Sequence, residues 1–320
     1  MAWRTSAGEE KTDPLVSIII PTYNRCSLLV EAIASVESQT YRNWELIISD
    51  DGSTDDTLAT IEKIAEPRIR VLSLPHTGHI GKVMNAGAQL SKGEWLAFHN
   101  SDDVWLPRKL ELQFKTLQKE KKRWIYGGYE LMDENKITIH RPTLKFIPYR
   151  GMMVKEIIQT KTAITICSIL MEKKLFDEIG GFCEDPRLLY RGDFEFTLRL
   201  AMQAEAAVVR EIVLRVREHA GRVTRSLSDG NERSALAYEI FINQKPGKEL
   251  ETLARKQLAY ELSEASINRF AQGRIKLALK QLSRAFFLRD NFRHWLSAIK
   301  RGIYAIFKKR FIHSAKKRKT

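Results

Sequence analysis

The chain has 320 residues, 43% of them hydrophobic, which is enough for one large domain or two modest ones with a real core. Its three cysteines, Cys26, Cys167 and Cys183, are odd in number and widely spaced, with no CxxC pair or nearby Cys/His cluster; they argue against a disulfide framework or a zinc site and fit a reducing compartment. The formal charge of +14 is uneven: residues 231–320 hold 21 Lys/Arg against 7 Asp/Glu, whereas the first 230 hold 32 of each.

This step in composition falls near residues 226–232, inside the polar run SLSDGNERS, and predicts two domains, 1–228 and 229–320. The first thirteen residues contain no apolar run of the kind a leader peptide needs, and no later stretch approaches 18 uninterrupted apolar residues. Neither secretion by that route nor a spanning helix is expected.

In chain order, residues 16–20 (VSIII) form a β-branched run closed by Pro21, and Thr22, Tyr23 and Asn24 make its turn. A helix is predicted over 27–38, where Leu28, Leu29, Ala32, Ile33 and Val36 recur at helical spacing. Residues 46–48 form a second strand, followed by a helix over about 54–64 and a third strand over 69–74. GHIGKVMNAGAQL (78–90) reads as a loop feeding a helix, and WLAFH (95–99) as a fourth strand. The alternation of strands and helices predicts a largely parallel sheet with helices on both faces. An amphipathic helix over 106–119, strands over 124–131 and 164–171, and helices over 175–179 and 194–202 complete this half.

The second strand runs straight into ELIISDDGSTDD (45–56), which sets acids at a strand's C-terminal end. In an open α/β sheet that edge binds ligands, so Asp50 and Asp51 are placed to meet a polar ligand; the alternative is that they only cap the next helix. The fourth strand likewise ends in Asn100-Ser101-Asp102-Asp103.

VSIIIPTYNR, ELIISDDGSTDDT, GEWLAFHNSDDVWLPRKL, FDEIGGF, RGDFEFTLRLA and REHAGRVTRS, in that order over about the first 225 residues, resemble glycosyltransferase family 2. The resemblance implies an α/β GT-A fold: a Rossmann-like, mostly parallel sheet with helices on both faces, followed here by an all-α C-terminal region. It implies that Pro21, Thr22, Tyr23, Asp50, Asp51, Lys82 and Ser101 line a nucleotide pocket, with a carboxylate accepting the imide N–H of a uracil-type base. It places a divalent ion, Mn²⁺ or Mg²⁺, at Asp102, Asp103 and His219, and makes Asp193 the base of an inverting displacement. Gly180, Gly181 and Gly192 then border the donor sugar or acceptor.

Asp103 reads alternatively as a cap for the next helix, Asp193 as a cap for its own, and Gly180-Gly181 as an ordinary helix end. Three positions depart from the family: Asn100 and Gly192 stand where an acid is common, and Met84 where many relatives carry arginine.

After residue 249 the pattern is a helical hairpin broken at Gly273. Residues 292–320 hold ten Lys/Arg and no acid, with Phe292, Trp295, Leu296, Ile299, Ile303, Ile306, Phe307 and Phe311 on one stripe. This predicts an amphipathic membrane-surface helix and a basic tail facing anionic lipid; a docked core helix is the alternative. The expected activity is transfer of a sugar from a nucleotide donor, taken as a UDP-sugar, to a hydroxyl of a glycan or lipid-linked acceptor. Its expected setting is bacterial cell-surface polysaccharide or lipopolysaccharide synthesis, at the cytoplasmic face of the membrane and peripherally bound. A non-catalytic module binding a sugar nucleotide or a partner is the rival reading. Nucleic acid is not expected as a partner, because the basic residues interleave with a regular apolar stripe and match no reading motif.

Overall fold

The computed structural model describes residues 3–4, 10–11, 13–139, 146–219, 229–288, 296–302 and 304. By internal contacts the chain divides into two compact units, Met1–Arg222 and Val223–Thr320.

In the first unit β1 (Trp3–Arg4) and β2 (Glu10–Lys11) pair as a small ribbon, and nine further strands make one sheet. Its first half alternates strand and helix: β3 (Val16–Thr22), α1 (Cys26–Glu37), β4 (Trp44–Asp50), α2 (Thr57–Ile61), β5 (Ile69–Ser73), α3 (Ile80–Gln89) and β6 (Trp95–Phe98). β5, β4, β3 and β6 lie side by side, all parallel. β3 and β4 are buried along their whole length, as continuous apolar runs in a sheet covered on both faces should be. Gly87 lets α3 approach them: a Cβ there would fall 2.5 Å from Ser49 Oγ and 2.7 Å from Ile19 Cγ2.

The chain steps from β3 outward to β4 and β5, then crosses back to β6 on the other side of β3. That reversal leaves a crevice at the C-terminal ends of β3, β4 and β6, where open α/β sheets bind ligands. The second half adds β7 (Val104–Trp105), α4 (Lys109–Glu120), β8 (Trp124–Met132), β9 (Thr138–Ile139), α5 (Val154–Ile158), β10 (Leu170–Glu172), α6 (Lys173–Glu178), α7 (Gly192–Gln203) and β11 (Ala206–Arg217). β10 joins the halves by pairing antiparallel with both β6 and β8, while β11 runs parallel to β8.

Several elements differ from expectation. The helix predicted from residue 106 begins at Lys109, because Val104 and Trp105 pair with Arg215 and Leu214 of β11, and Leu106 N–H bonds Val213 O (2.9 Å). α2 is shorter than 54–64, since Ser53 and Thr54 N–H groups are held by the Asp50 and Asn24 side chains, and Asp55 caps Thr57 N–H. Within 164–171 a turn of 3₁₀ helix (Ile166–Ser168) replaces part of the strand, and Ser168 Oγ donates back to Thr165 O (2.7 Å). Residues 140–145, between the strand at 124–131 and the one at 164–171, lie outside the described residues.

The second unit contains α8 (Gly230–Asn243), α9 (Lys248–Ala271) and α10 (Ile275–Phe287), with Gly273 at φ +81° in the turn. Glu232 on α8 pairs with Arg269 on α9 and accepts from Gln281 on α10, so one carboxylate ties three helices. Residues 296–302 are helical, and Ala298 and Ile299 pack on Phe270, Ala278 and Leu282. The rest of the proposed membrane helix, apart from residue 304, lies outside the described residues.

Candidate active site

The crevice gathers two clusters. At the β3–β4 edge, Thr22 stands in register with Asp50, and both are buried. Asp50 Oδ2 accepts the N–H of Ser53 (2.9 Å). Asp50 Oδ1 and Thr22 Oγ1 have no hydrogen-bond partner among the described residues. A buried acceptor left unpaired costs on the order of 1–3 kcal/mol, so these two atoms fit a site completed by a ligand.

Asp51 does different work. Its Oδ1 accepts from Thr77 N–H (2.8 Å) and Thr77 Oγ1 (2.9 Å), and its Oδ2 from Gly78 N–H (2.8 Å), with His76 Nδ1 at 3.1 Å. It therefore anchors the β5–α3 loop. The His76 ring in turn stacks on Tyr23, with centroids 4.0 Å apart, and Tyr23 is exposed. The pair offers an aromatic face at the rim, and His76 went unnoticed in the sequence because a lone histidine in a loop carries no pattern. Pro21 and Ser101 are buried in the strand end and the acidic loop, and Lys82 is exposed on α3.

The second cluster is the acidic loop after β6. Asp102 Oδ2 is ion-paired with Arg25, from the loop after β3, and lies 3.1 Å from His219 Nε2, just beyond β11. Asp103 is turned inward. Its Oδ1 accepts Arg217 N–H (3.0 Å), and its Oδ2 accepts Asn100 Nδ2 (2.9 Å) and the Cys167 thiol (3.5 Å). Burial, then the neighbouring Asp102 charge, push the Asp103 carboxyl well above the ordinary range. It does not cap α4, whose N-cap position is Arg108. The buried Arg217 donates to Asp102 O (3.1 Å) and pairs with Glu31 Oε2 of α1 (2.7 Å), fixing the loop between α1 and β11.

A divalent ion fits this donor set in one way. Asp102 and His219 present an oxygen and an imidazole nitrogen within contact of one another, while the Asp103 oxygens already have protein donors. No group of three or more His, Cys, Asp or Glu side chains suited to a metal occurs among the described residues. Two protein donors do not make a closed cage, but they suit an ion whose other ligands are phosphate oxygens.

Behind this loop lies a buried polar group. Lys109 Nζ sits 3.9 Å from the centre of the Trp105 ring and donates to Gln113 Oε1 (2.9 Å). His99 stacks on the same Trp105. Burial pulls the Lys109 ammonium down to about 7, and burial followed by the Lys109 charge pulls His99 down to about 3.

The remaining expected residues lie on α6, α7 and their junctions with α3. Gly180 and Gly181 have φ of +79° and +67°, and their N–H groups bond Asp177 O and Phe176 O, so they do end α6. Asn85 of α3 clamps the segment just beyond them: its Oδ1 accepts Phe182 N–H (2.8 Å), and its Nδ2 donates to Phe182 O (3.0 Å) and Glu184 Oε1 (2.9 Å). His79 caps α3 and its other nitrogen lies 3.1 Å from Asp185 O, which leaves it no atom for a ligand; Met84 is buried. Asp193 lies in the first turn of α7, and its Oδ1 accepts Phe194 N–H (2.7 Å); Arg191, not Asp193, occupies the N-cap, and Gly192 opens the helix. Glu195 is fully buried in a two-pronged pair with Arg199.

The model for the domain described as Glycosyl transferase family 2 matches residues 17–180. An uncharacterized glycosyltransferase of Rickettsia prowazekii is 32% identical over 241 residues, 74% of this chain and 74% of that protein. The Escherichia coli UDP-Glc:alpha-D-GlcNAc-diphosphoundecaprenol beta-1,3-glucosyltransferase WfgD is 37% identical over 125 residues, 39% of this chain and 49% of that protein. With several other curated relatives the match covers only 34–40% of the relative's length. Among solved structures, S. aureus TarS 1–349 in complex with UDP-GlcNAc superposes with a TM-score of 0.66 at 20% identity, over 91% of this chain and 89% of that one.

Proposed function

The chain belongs to glycosyltransferase family 2 and has the GT-A fold, and from that premise we propose that it is an inverting enzyme using a nucleoside-diphosphate sugar. The observation that carries the reading is the pair of unpartnered buried atoms, Asp50 Oδ1 and Thr22 Oγ1, on the same sheet edge as Asp102 and His219. An acceptor at Asp50 Oδ1 matches the imide N–H of uracil, and the Tyr23–His76 stack offers the base a flat apolar neighbour. A UDP-sugar is also the donor in the name of WfgD and the ligand in the TarS complex.

Asp102 and His219 would hold Mn²⁺ or Mg²⁺, which when bound neutralises charge growing on the diphosphate as the sugar departs. Asp193, at the start of α7, takes the proton from the acceptor hydroxyl as that oxygen attacks the anomeric carbon. Such a base contributes roughly 10²- to 10⁴-fold. Lys82 is the exposed cation of α3 available to phosphate, and the backbone at Gly180 and Gly181 borders the sugar. Asp103 holds the loop through the Arg217 N–H and the Asn100 amide. The diphosphoundecaprenol-linked acceptor in WfgD's name supports a glycan or lipid-linked acceptor here; the setting that goes with this proposal is bacterial cell-surface polysaccharide or lipopolysaccharide synthesis at the inner face of the membrane. No helix among the described residues is long and apolar enough to cross a membrane.

The test is a nucleotide-release screen of the full chain across UDP-, GDP- and dTDP-sugars, with and without Mn²⁺, using Asp193→Asn as control. Metal-dependent release from a UDP-sugar that is lost in the variant is the expected result. Release unchanged in the variant would remove Asp193 as the base. A second reading, a sugar-nucleotide-binding module, draws on Asn100: its amide is engaged with Asp103, so the loop turns one carboxylate outward, not two. Tight UDP binding without release on any acceptor lipid or glycan would favour it.

A further inference from the structure

Asp102 Oδ2 carries two basic partners, the Arg25 guanidinium and the His219 imidazole, brought from two separate loops. A divalent ion held by Asp102 and His219 would draw on the carboxylate whose His219-facing oxygen Arg25 also pairs with, so Arg25 and the ion compete for its charge. The backbone of Arg25 is pinned: its N–H donates to Thr57 Oγ1 (3.3 Å), its carbonyl accepts Leu29 N–H (2.9 Å), and Asn24 beside it bonds Ser53 and Thr54. Any displacement therefore falls to its long side chain. Meanwhile α3 offers a diphosphate one exposed cation, Lys82, with Met84 buried and His79 engaged at both nitrogens. A guanidinium is the side chain best matched to phosphate oxygens, which it grips with parallel N–H donors.

We propose that Arg25 is a transferable counter-cation: it neutralises Asp102 while the site is empty and moves to the donor's diphosphate when a divalent ion takes Asp102. The inference rests on the reading of Asp102 and His219 as that ion's ligands. Its physical basis is charge. An ion arriving alone must displace a guanidinium and then lie beside it in a half-buried pocket, where like charges repel strongly. A diphosphate supplies the anion that accommodates both. Ion and nucleotide then favour each other through Arg25, and the coupling is reciprocal.

The test titrates the full chain with Mn²⁺, following the free-ion electron paramagnetic resonance signal, with and without UDP, and separately measures UDP affinity by calorimetry. Compared with wild type, Arg25→Gln should bind Mn²⁺ about tenfold tighter without UDP, and UDP about tenfold more weakly, the size of a typical coupling. Opposite signs for the two ligands are a signature that general damage does not produce. Arg25→Lys, with a shorter reach, should shift both in the same directions by less, and it serves if the glutamine variant fails to fold. Mn²⁺ binding unchanged or weakened in Arg25→Gln, or Arg25→Lys matching wild type in both titrations where it must serve alone, overturns the proposal. If Asp102→Asn binds Mn²⁺ like wild type, the assignment of the ion's ligands fails and this inference falls with it. Loss of binding in Asp102→Asn keeps that assignment, and the Arg25 titrations then decide the role of Arg25 by themselves.

Discussion

Asp50 and Asp51 are neighbours in sequence with different tasks, because successive residues at a strand end point to different sides. Asp50 keeps a buried oxygen unpaired, while Asp51 has its oxygens taken by Thr77 and Gly78. Asp50→Ala should therefore weaken UDP binding by about 1–3 kcal/mol in calorimetry and, releasing only the Ser53 N–H, lower the melting temperature less than Asp51→Ala does. Asp51→Ala should do the reverse, lowering the melting temperature by releasing the 76–78 loop. Equal effects on binding from both would refute the division. The acidic loop itself was legible, since two acids closing an apolar run have few other places to lie. Which acid keeps an unpartnered oxygen was not, because that depends on Thr77 and Gly78, 26 and 27 residues further along the chain.

Lys109 was less legible still: in sequence it is one basic residue near the start of an amphipathic helix, yet it is buried beneath the acidic loop. Its folded-state value of about 7 lies below the unfolded value of 10.5. Between these, the unfolded chain holds one more proton, so this group's contribution to stability rises with pH across that window and is lost as pH falls toward 7. Lys109→Met, which removes the titration and keeps the volume, should stabilise the fold more at pH 7 than at pH 10 in urea unfolding. An increment independent of pH would mean that the amine is not held near 7.

At the scale of elements, α3 grips the segment after α6 through Asn85, where three hydrogen bonds converge on one amide. Gly181 is pressed against it, since a Cβ there would lie 2.7 Å from Asn85 Oδ1, whereas nothing lies within 4 Å of a Cβ at Gly180. Both glycines have positive φ, so alanine at either incurs left-handed backbone strain of about 1 kcal/mol. Only Gly181→Ala also displaces the clamp, and it should cost more in urea unfolding than Gly180→Ala and raise the KM for the donor. Equal costs would show that the clamp yields freely. The alternating strands and helices of the first half were readable from their apolar runs. β7 was not, because this two-residue strand exists only through its pairing with Leu214 and Arg215 of β11. Nor was α8, whose buried residues Ser234, Ala235, Ala237, Tyr238 and Phe241 are mostly small and make no strong apolar stripe.

At the scale of the whole molecule, residues 231–320 carry the entire charge excess. Part of the apolar stripe expected to meet lipid is used within the protein, because its Ile299 packs on the cluster of Phe270, Ala278, Leu282 and Ala298. Apolar surface remains elsewhere: Ile275, Leu279 and Phe287 of α10 are 49%, 54% and 79% exposed, beside Lys276 and Lys280 on a helix without an acid. The basic end of the chain, with Lys316, Lys317, Arg318 and Lys319, adds charge without apolar area. If a membrane surface is the partner, each basic residue near anionic lipid contributes about 1 kcal/mol. Changing those four to Gln should then weaken sedimentation with phosphatidylserine-containing vesicles by more than about tenfold, and salt at about 0.5 M should do the same to wild type. Phe287→Ser should weaken it as well, but in a way that salt does not mimic, since its contribution is apolar. Nucleotide release from a soluble donor should survive all of these changes, because none of these residues is among those assigned to nucleotide, metal or sugar. Vesicle binding that is unaffected by both the charge and the Phe287 substitutions would leave the basic region without a lipid role and turn attention to a protein partner for α10.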